Sequence, residues 1–315
     1  MASPATPPPQ NPDPSHDPNP EQQGQEQGQE QDLFHISLNP SRPTTIIFLH
    51  GLLSSHLEYA LVAPHLSDYH LLLVDLPGHS KSASAASLAD PAARLTVPAM
   101  ADAVAALVRR RAGSGGRAHV VGLSMGGFVA LDLARRYPEL CLSVFATGAA
   151  PFAGLSKFLA ERPWLVYGAL GLMLDWMPDA WYWWAVRKGW GVDRRFEELK
   201  AEMSRNRRWV VIKTVYASIL ECLGWEEVRR IDSVRVLCVA GGKQDDVDST
   251  RKVGEVWKKE GITERLGSRA VMVKEAVHAW DLQFPELFAE GVKAWVEGRE
   301  LPEEFESLSV VGDVC

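Results

Sequence analysis

The sequence predicts an α/β fold: a mostly parallel central sheet with helices on both faces, interrupted by a helical insertion. Three observations carry this. Apolar runs of five to seven residues rich in Val, Ile and Leu recur along the chain, and such runs suit strands buried on both faces. Helical periodicity falls between them, and strand–helix alternation implies parallel strands joined by crossovers. Between residues 151 and 230 the alternation stops, and eight of the eleven tryptophans gather there.

Residues 1–32 are rich in Pro, Gln and Glu, with too little apolar surface to offset the entropy of ordering, and are expected to be a disordered tail. The first part of the core, 33–150, opens with the strand Thr44–Leu49, which runs into His50-Gly51-Leu52-Leu53. His35 falls before the sheet on this reading. A second strand, His70–Val74, closes in the turn formers Asp75-Leu76-Pro77-Gly78-His79-Ser80. Ala99–Arg111 is an amphipathic helix with Met100, Val104, Leu107 and Val108 on one face. His119–Leu123 is a strand that passes through Ser124 into a helix over Phe128–Arg136, and Leu142–Thr147 is the next strand. Residues 151–230 read as helices lying over the sheet. The run Trp164–Leu174 is too short to span a bilayer, and Asp175 and Pro178 end it. The second part of the core, 231–299, contributes the strand Val234–Ala240, a helix over Thr250–Glu260, the strand Ala270–Val273 and a closing helix, Pro285–Val296. Residues 300–315 read as an acidic, frayed tail.

Net charge is −7, yet the two ends hold six and five acids without a Lys or Arg, leaving +4 on the residues between. That balance gives no nucleic-acid footprint. Cys141, Cys222, Cys238 and Cys315 have neither zinc-site nor disulfide-framework spacing, and no apolar leader follows Met1. A cytoplasmic, reducing setting is expected. No dinucleotide fingerprint or metal constellation is present, so no cofactor is expected.

The chemistry centres on Gly122-Leu123-Ser124-Met125-Gly126-Gly127. A strand before and a helix after place Ser124 on a sharp turn, with small residues allowing close backbone approach and the helix N-terminus favouring a developing oxyanion. A serine hydroxyl needs a base, and that base needs an orienting group. His278 follows the last strand of the core at the sheet's carboxyl edge and is the expected base. The acid is expected at another strand end, at Asp245, with the adjacent Asp246 as the alternative. Met125 N–H and Leu52 N–H are the expected oxyanion donors.

Taken together, His50-Gly51, Asp75-x-x-Gly78-His79-Ser80, Gly122-x-Ser124-x-Gly126-Gly127, Gly242-x-x-Asp245 and His278 resemble the α/β-hydrolase superfamily in content and in Ser, Asp, His order. The resemblance covers roughly residues 44–297. It implies that 151–230 is a cap, that Ser124 is the nucleophile, Asp245 the acid and His278 the base, and that Leu52 and Met125 form the oxyanion hole. One departure stands out: Val277 occupies the place where the family usually has Gly.

The expectation is a soluble serine hydrolase acting on a small carboxylic ester with an apolar part. The alternatives are a C–C or thioester hydrolase, or a ligand receptor on the same fold. Trp164, Trp176, Trp181 and Trp184 are expected to line the substrate channel, with transient membrane-surface contact as a second use of the same aromatic surface. Nucleic acid is not an expected partner, and oligomeric state is not legible.

Overall fold

The computed structural model describes residues 33–83, 91–113 and 115–308. The expected N-terminal tail and Cys315 lie outside the described residues. Eight strands form one sheet: β1 (His35–Leu38), β2 (Thr45–Leu49), β3 (His70–Val74), β4 (Ala118–Leu123), β5 (Cys141–Thr147), β6 (Val236–Gly241), β7 (Arg269–Val273) and β8 (Phe305–Ser307). Their order is β1-β3-β2-β4-β5-β6-β7-β8. Pairing is parallel from β3 to β7 and antiparallel at both edges.

Strands β2, β3 and β6 are buried at every position, as parallel strands covered on both faces must be. Alternate residues serve opposite layers. Ile47, Leu49, Val120 and Val144 pack with Met100 and Val104 of α1 (Val97–Arg111) and Phe128 of α2 (Met125–Arg136). Ile46, Phe48, Val121 and Phe145 face the other way, toward Phe288, Val292 and Trp295 of the closing helix Pro285–Glu297. Helix α1 starts earlier than expected because the Thr96 hydroxyl accepts the Ala99 N–H and caps it.

Two expectations are corrected. His35 lies within the sheet: β1 is a four-residue edge strand paired with β3, too short to show an apolar run. The acidic C-terminal stretch holds β8, where Phe305 packs among Phe145 and Trp280. Phe305 and Leu308 are buried there, but the acidic residues around them outweigh these two in composition, which therefore read the stretch as frayed.

The insertion comprises α3 (Gly154–Ala160), α4 (Pro163–Gly171), a π turn (Leu172–Trp176), α5 (Asp179–Trp190), α6 (Glu197–Asn206), α7 (Trp209–Cys222) and α8 (Trp225–Arg229). After it come α9 (Val247–Lys259), α10 (Ile262–Leu266), α11 (Trp280–Gln283) and α12, the closing helix. The insertion has its own apolar cluster of Leu174, Tyr182, Trp183, Val186, Val192 and Ile212, and Leu53 from the loop after β2 completes it. Leu53 reaches there in a left-handed conformation, φ +69°. Among the described residues no helix is long and apolar enough to cross a membrane.

Strands β3 and β4 flank β2, so the chain leaves β2 to one side and later crosses to the other. Open α/β sheets hold their ligands outside the carboxyl ends of the strands at such a reversal. The loop 50–55 and Ser124 both start there.

Candidate active site

Ser124 sits between β4 and α2 with φ +53° and ψ −119°, backbone angles that strain a residue with a side chain. The surrounding glycines explain how the turn closes. A β-carbon on Gly122 would lie 2.2 Å from Gly126 O, and one on Gly126 would lie 2.0 Å from Leu49 O. The Ser124 N–H donates to Thr147 O at 2.8 Å, which ties the turn to the end of β5.

On the other side of Thr147 stands Gly148, at φ +61°, whose absent β-carbon would lie 2.7 Å from His278 Cε1 and 3.5 Å from Asp245 Oδ1. The Ser124 turn and the His278–Asp245 pair therefore meet across Thr147-Gly148. His278 Nδ1–H donates to Asp245 Oδ1 at 2.5 Å, leaving Nε2 as the free lone pair. Asp245 Oδ2 accepts from Gly241 N–H at 2.7 Å, so both carboxylate oxygens are held. Asp246, the alternative acid, instead caps α9, accepting the Ser249 N–H at 2.9 Å and the Ser249 hydroxyl at 2.8 Å. Enclosure lowers the pKa of His278, but the charge and hydrogen bond of Asp245, with Glu58 beyond, outweigh it and the net direction is upward. The ring side chain keeps 41% of its surface open, which suits a base that must reach an incoming group. Among the described residues no hydrogen bond joins Ser124 Oγ to His278. Such contacts often tighten only when substrate is bound.

The loop after β2 is held at both ends of one residue. Gly51 N–H donates to Glu58 Oε2 at 2.6 Å, and the Gly51 carbonyl accepts from His50 Nδ1–H at 2.7 Å. In a planar trans peptide the C=O and the following N–H point opposite ways. Pinning the Gly51 carbonyl thus aims the Leu52 N–H away from His50, and neither it nor the Met125 N–H is bonded to another described group. His50 Nε2 accepts the Leu76 N–H at 3.0 Å. This requires a neutral ring, and burial does push His50 down to about 4. The insertion holds the same loop: Asn206 Nδ2 donates to the carbonyls of Leu53 and Ser54, and its Oδ1 accepts the Ser80 N–H.

The four tryptophans expected at the substrate channel take another place. Trp164, Trp176, Trp181 and Trp184 are 60–81% exposed, and none lines the cavity beside His278. Helical phase is the reason. In α5 the inward positions are Tyr182, Trp183 and Val186, so Trp181 and Trp184 fall on the outer face. The cavity beside the His–Asp pair is about 130 Å³ and is lined by Gly148, Ala150, Phe152, Ser156, Gln244 and Thr250. A wider cleft of about 620 Å³, lined by His65, Glu286, Lys293 and Arg299, holds none of Ser124, Asp245 and His278.

Several residues of the site are not singled out by sequence. Gln244 Oε1 accepts the His278 N–H at 3.1 Å, and Gln283 Oε1 accepts the Val277 N–H at 2.9 Å. Two side-chain amides thus hold the histidine loop where Val277 replaces the customary glycine. Gly148 and Glu58 carry no motif signal, because each matters only through what folding brings beside it.

Comparison with known proteins agrees with this geometry. A family model described as alpha/beta hydrolase fold matches residues 44–175. An AB hydrolase superfamily protein of Gibberella zeae is 30% identical over 284 residues, covering 88% of each chain. A pimeloyl-[acyl-carrier protein] methyl ester esterase of Neisseria meningitidis serogroup C is 28% identical, covering 82% of this chain and 96% of that one. In fold, a thermophilic esterase from Thermogutta terrifontis aligns with a TM-score of 0.63 at 18% identity, over 84% of this chain and 93% of that chain. With a mostly parallel eight-stranded sheet, a serine on a strained strand–helix turn and a relative matched along most of its length, the chain belongs to the α/β-hydrolase superfamily.

Proposed function

We propose that this hydrolase cleaves a carboxylic ester with an apolar moiety through an acyl-enzyme on Ser124. The observation that carries the reading is the convergence of Ser124 and the His278–Asp245 pair across Thr147-Gly148. Ser124 Oγ attacks the ester carbonyl while His278 Nε2 takes its proton. Leu52 and Met125 N–H groups stabilise the oxyanion, and Asp245 stabilises the imidazolium. The C–O bond then breaks, His278 returns the proton to the departing alkoxide, and a water deprotonated by His278 releases the acid. The similarity to a methyl ester esterase supports an ester over other acyl compounds.

The small cavity lined by Ala150 and Phe152 fits a short apolar group, and each methylene it buries contributes about 0.8 kcal/mol, or about fourfold in kcat/KM. The test is the rate on p-nitrophenyl esters from acetate to hexanoate, with a fluorophosphonate probe to locate the nucleophile. Labelling at Ser124, turnover, and a rise along the first members of the series are expected. Labelling without turnover would point to a receptor, and a series that falls from acetate would point to a polar substrate. Among the described residues Cys141, Cys222 and Cys238 are free and buried, and burial pushes each thiol up to about 12, which leaves them unreactive.

A further inference from the structure

Behind the oxyanion loop lies a carboxyl group that the mechanism above does not use. Glu58 is buried, and its Oε2 accepts the Gly51 N–H at 2.6 Å. A β-carbon on Gly51 would be 3.6 Å from Glu58 Oε1 and 3.6 Å from Ser124 Cβ, so the carboxylate and the nucleophile flank the same backbone atom. A second carboxyl, Asp281 of α11, is fully enclosed, and neither of its oxygens pairs with another side chain. Helix α11, which carries Asp281, packs against the turn His56–Ala60, which carries Glu58, and the charges of Asp281 and of His278, from the loop after β7, act on Glu58 beside the Gly51 N–H, Ser54 and Tyr59. Charged groups on the other elements packed here are engaged elsewhere, Asp75 with His56, Glu202 with Ser80 and Lys200 with Asp179.

We propose that Glu58 is a positioning residue for the oxyanion hole, and that the Glu58–Asp281 pair holds one proton, which sits on Asp281 and leaves Glu58 as the anion the site requires. This rests on the hydrolase reading above. Two enclosed negative charges facing each other are unfavourable, so one carboxyl stays protonated. The Gly51 N–H favours the charge on Glu58, whereas Asp281 has no side-chain partner to hold one. Burial raises both groups, Glu58 to about 7. The Glu58 anion does two things. It strengthens the hydrogen bond that fixes Gly51, and with it the direction of the Leu52 N–H, and it adds a negative neighbour that keeps His278 basic.

As pH falls, Glu58 and His278 each take up a proton, and either event disables the site. The acid limb therefore involves two protons where an isolated triad involves one. The test is the pH dependence of the inactivation rate constant of the full chain with a fluorophosphonate, which needs no knowledge of the natural substrate. Between pH 6 and pH 5 the wild-type rate is expected to fall about a hundredfold. In Glu58→Gln, which keeps an acceptor for Gly51 but cannot ionise and so stands for the protonated, disabled state, the fall is about tenfold and the rate at pH 8 is about a thousandfold lower. Asp281→Asn, which fixes that partner as neutral, keeps the hundredfold fall. A tenfold fall in the wild type overturns the proposal even if Glu58→Gln does not fold. A tenfold fall in Asp281→Asn alone would put the charge on Asp281 and overturn the assignment. Absence of labelling at every pH would instead overturn the hydrolase reading itself.

Discussion

Gly148 and His278 touch in a way that only glycine permits: a β-carbon at position 148 would come within 2.7 Å of the imidazole Cε1, and the backbone there is left-handed at φ +61°. The space opposite the catalytic face of the ring is therefore set by one missing methyl group. Gly148→Ala is expected to displace His278 from Asp245 and lower kcat/KM by about a hundredfold. The strained backbone adds a stability loss of about 1–2 kcal/mol. Steady-state rates on a p-nitrophenyl ester, beside a denaturation curve, check both; a rate within threefold of wild type would show that the ring needs no such clearance.

The two adjacent aspartates should separate cleanly. Asp245→Asn removes the carboxylate that orients His278 Nδ1–H and should lower kcat by about ten-thousandfold. Asp246→Ala removes the cap of α9 and should cost about 1 kcal/mol of stability, with kcat nearly unchanged. Equal rate losses in the two variants would contradict this division of labour.

Asn206 joins the insertion to the loops after β2 and β3 through four hydrogen bonds, to Leu53 O, Ser54 O, Ser80 N and Ser80 Oγ. Asn206→Ala takes that partner from the Leu53 and Ser54 carbonyls and the Ser80 N–H, at a cost of about 2–3 kcal/mol. Because Leu53 follows Leu52, the proposed oxyanion donor, kcat should fall more than KM rises. A variant with lowered stability and unchanged kcat would confine Asn206 to folding.

His119 lies at the amino end of β4, away from the site, and burial pushes it down to about 4 while its Nδ1 bonds with Ser143 Oγ at 2.8 Å. Its folded pKa is lower than its unfolded value near 6.5, so the unfolded chain binds more protons as pH falls and stability is lost from pH 6.5 down to about 4. Against His119→Gln, the wild type should lose about 2 kcal/mol between pH 7.5 and pH 5. Parallel stability–pH curves for the two proteins would refute it.

Trp176 and Trp181 are 81% and 68% exposed. Replacing either by alanine should change stability by less than about 0.5 kcal/mol and leave kcat/KM on a soluble butyrate ester within about twofold. A tenfold loss would bring these indoles back to the substrate path.

The sequence by itself determined the α/β fold and the parallel sense of its sheet, because apolar runs without alternation are written in contiguous residues, and it named Ser124, Asp245 and His278 from a Gly-x-Ser-x-Gly turn and from strand ends. It also marked residues 151–230 as a helical insertion. It named Asp245 with the adjacent Asp246 as the alternative, and only the turn from β6 into α9, which sends one carboxylate to His278 and the other to Ser249, separated them. It read the tryptophans as a channel because composition counts residues without their helical phase, and the phase of α5 turned Trp181 and Trp184 outward. It missed β1 and β8, short edge strands whose stability comes from the partner strand and, in β8, from one buried phenylalanine. Above all it gave no sign of Gly148, Glu58 or Asp281. A clearance of one methyl group and a pair of enclosed carboxyls are properties of distance between remote segments, and no local pattern of residue types encodes such a distance.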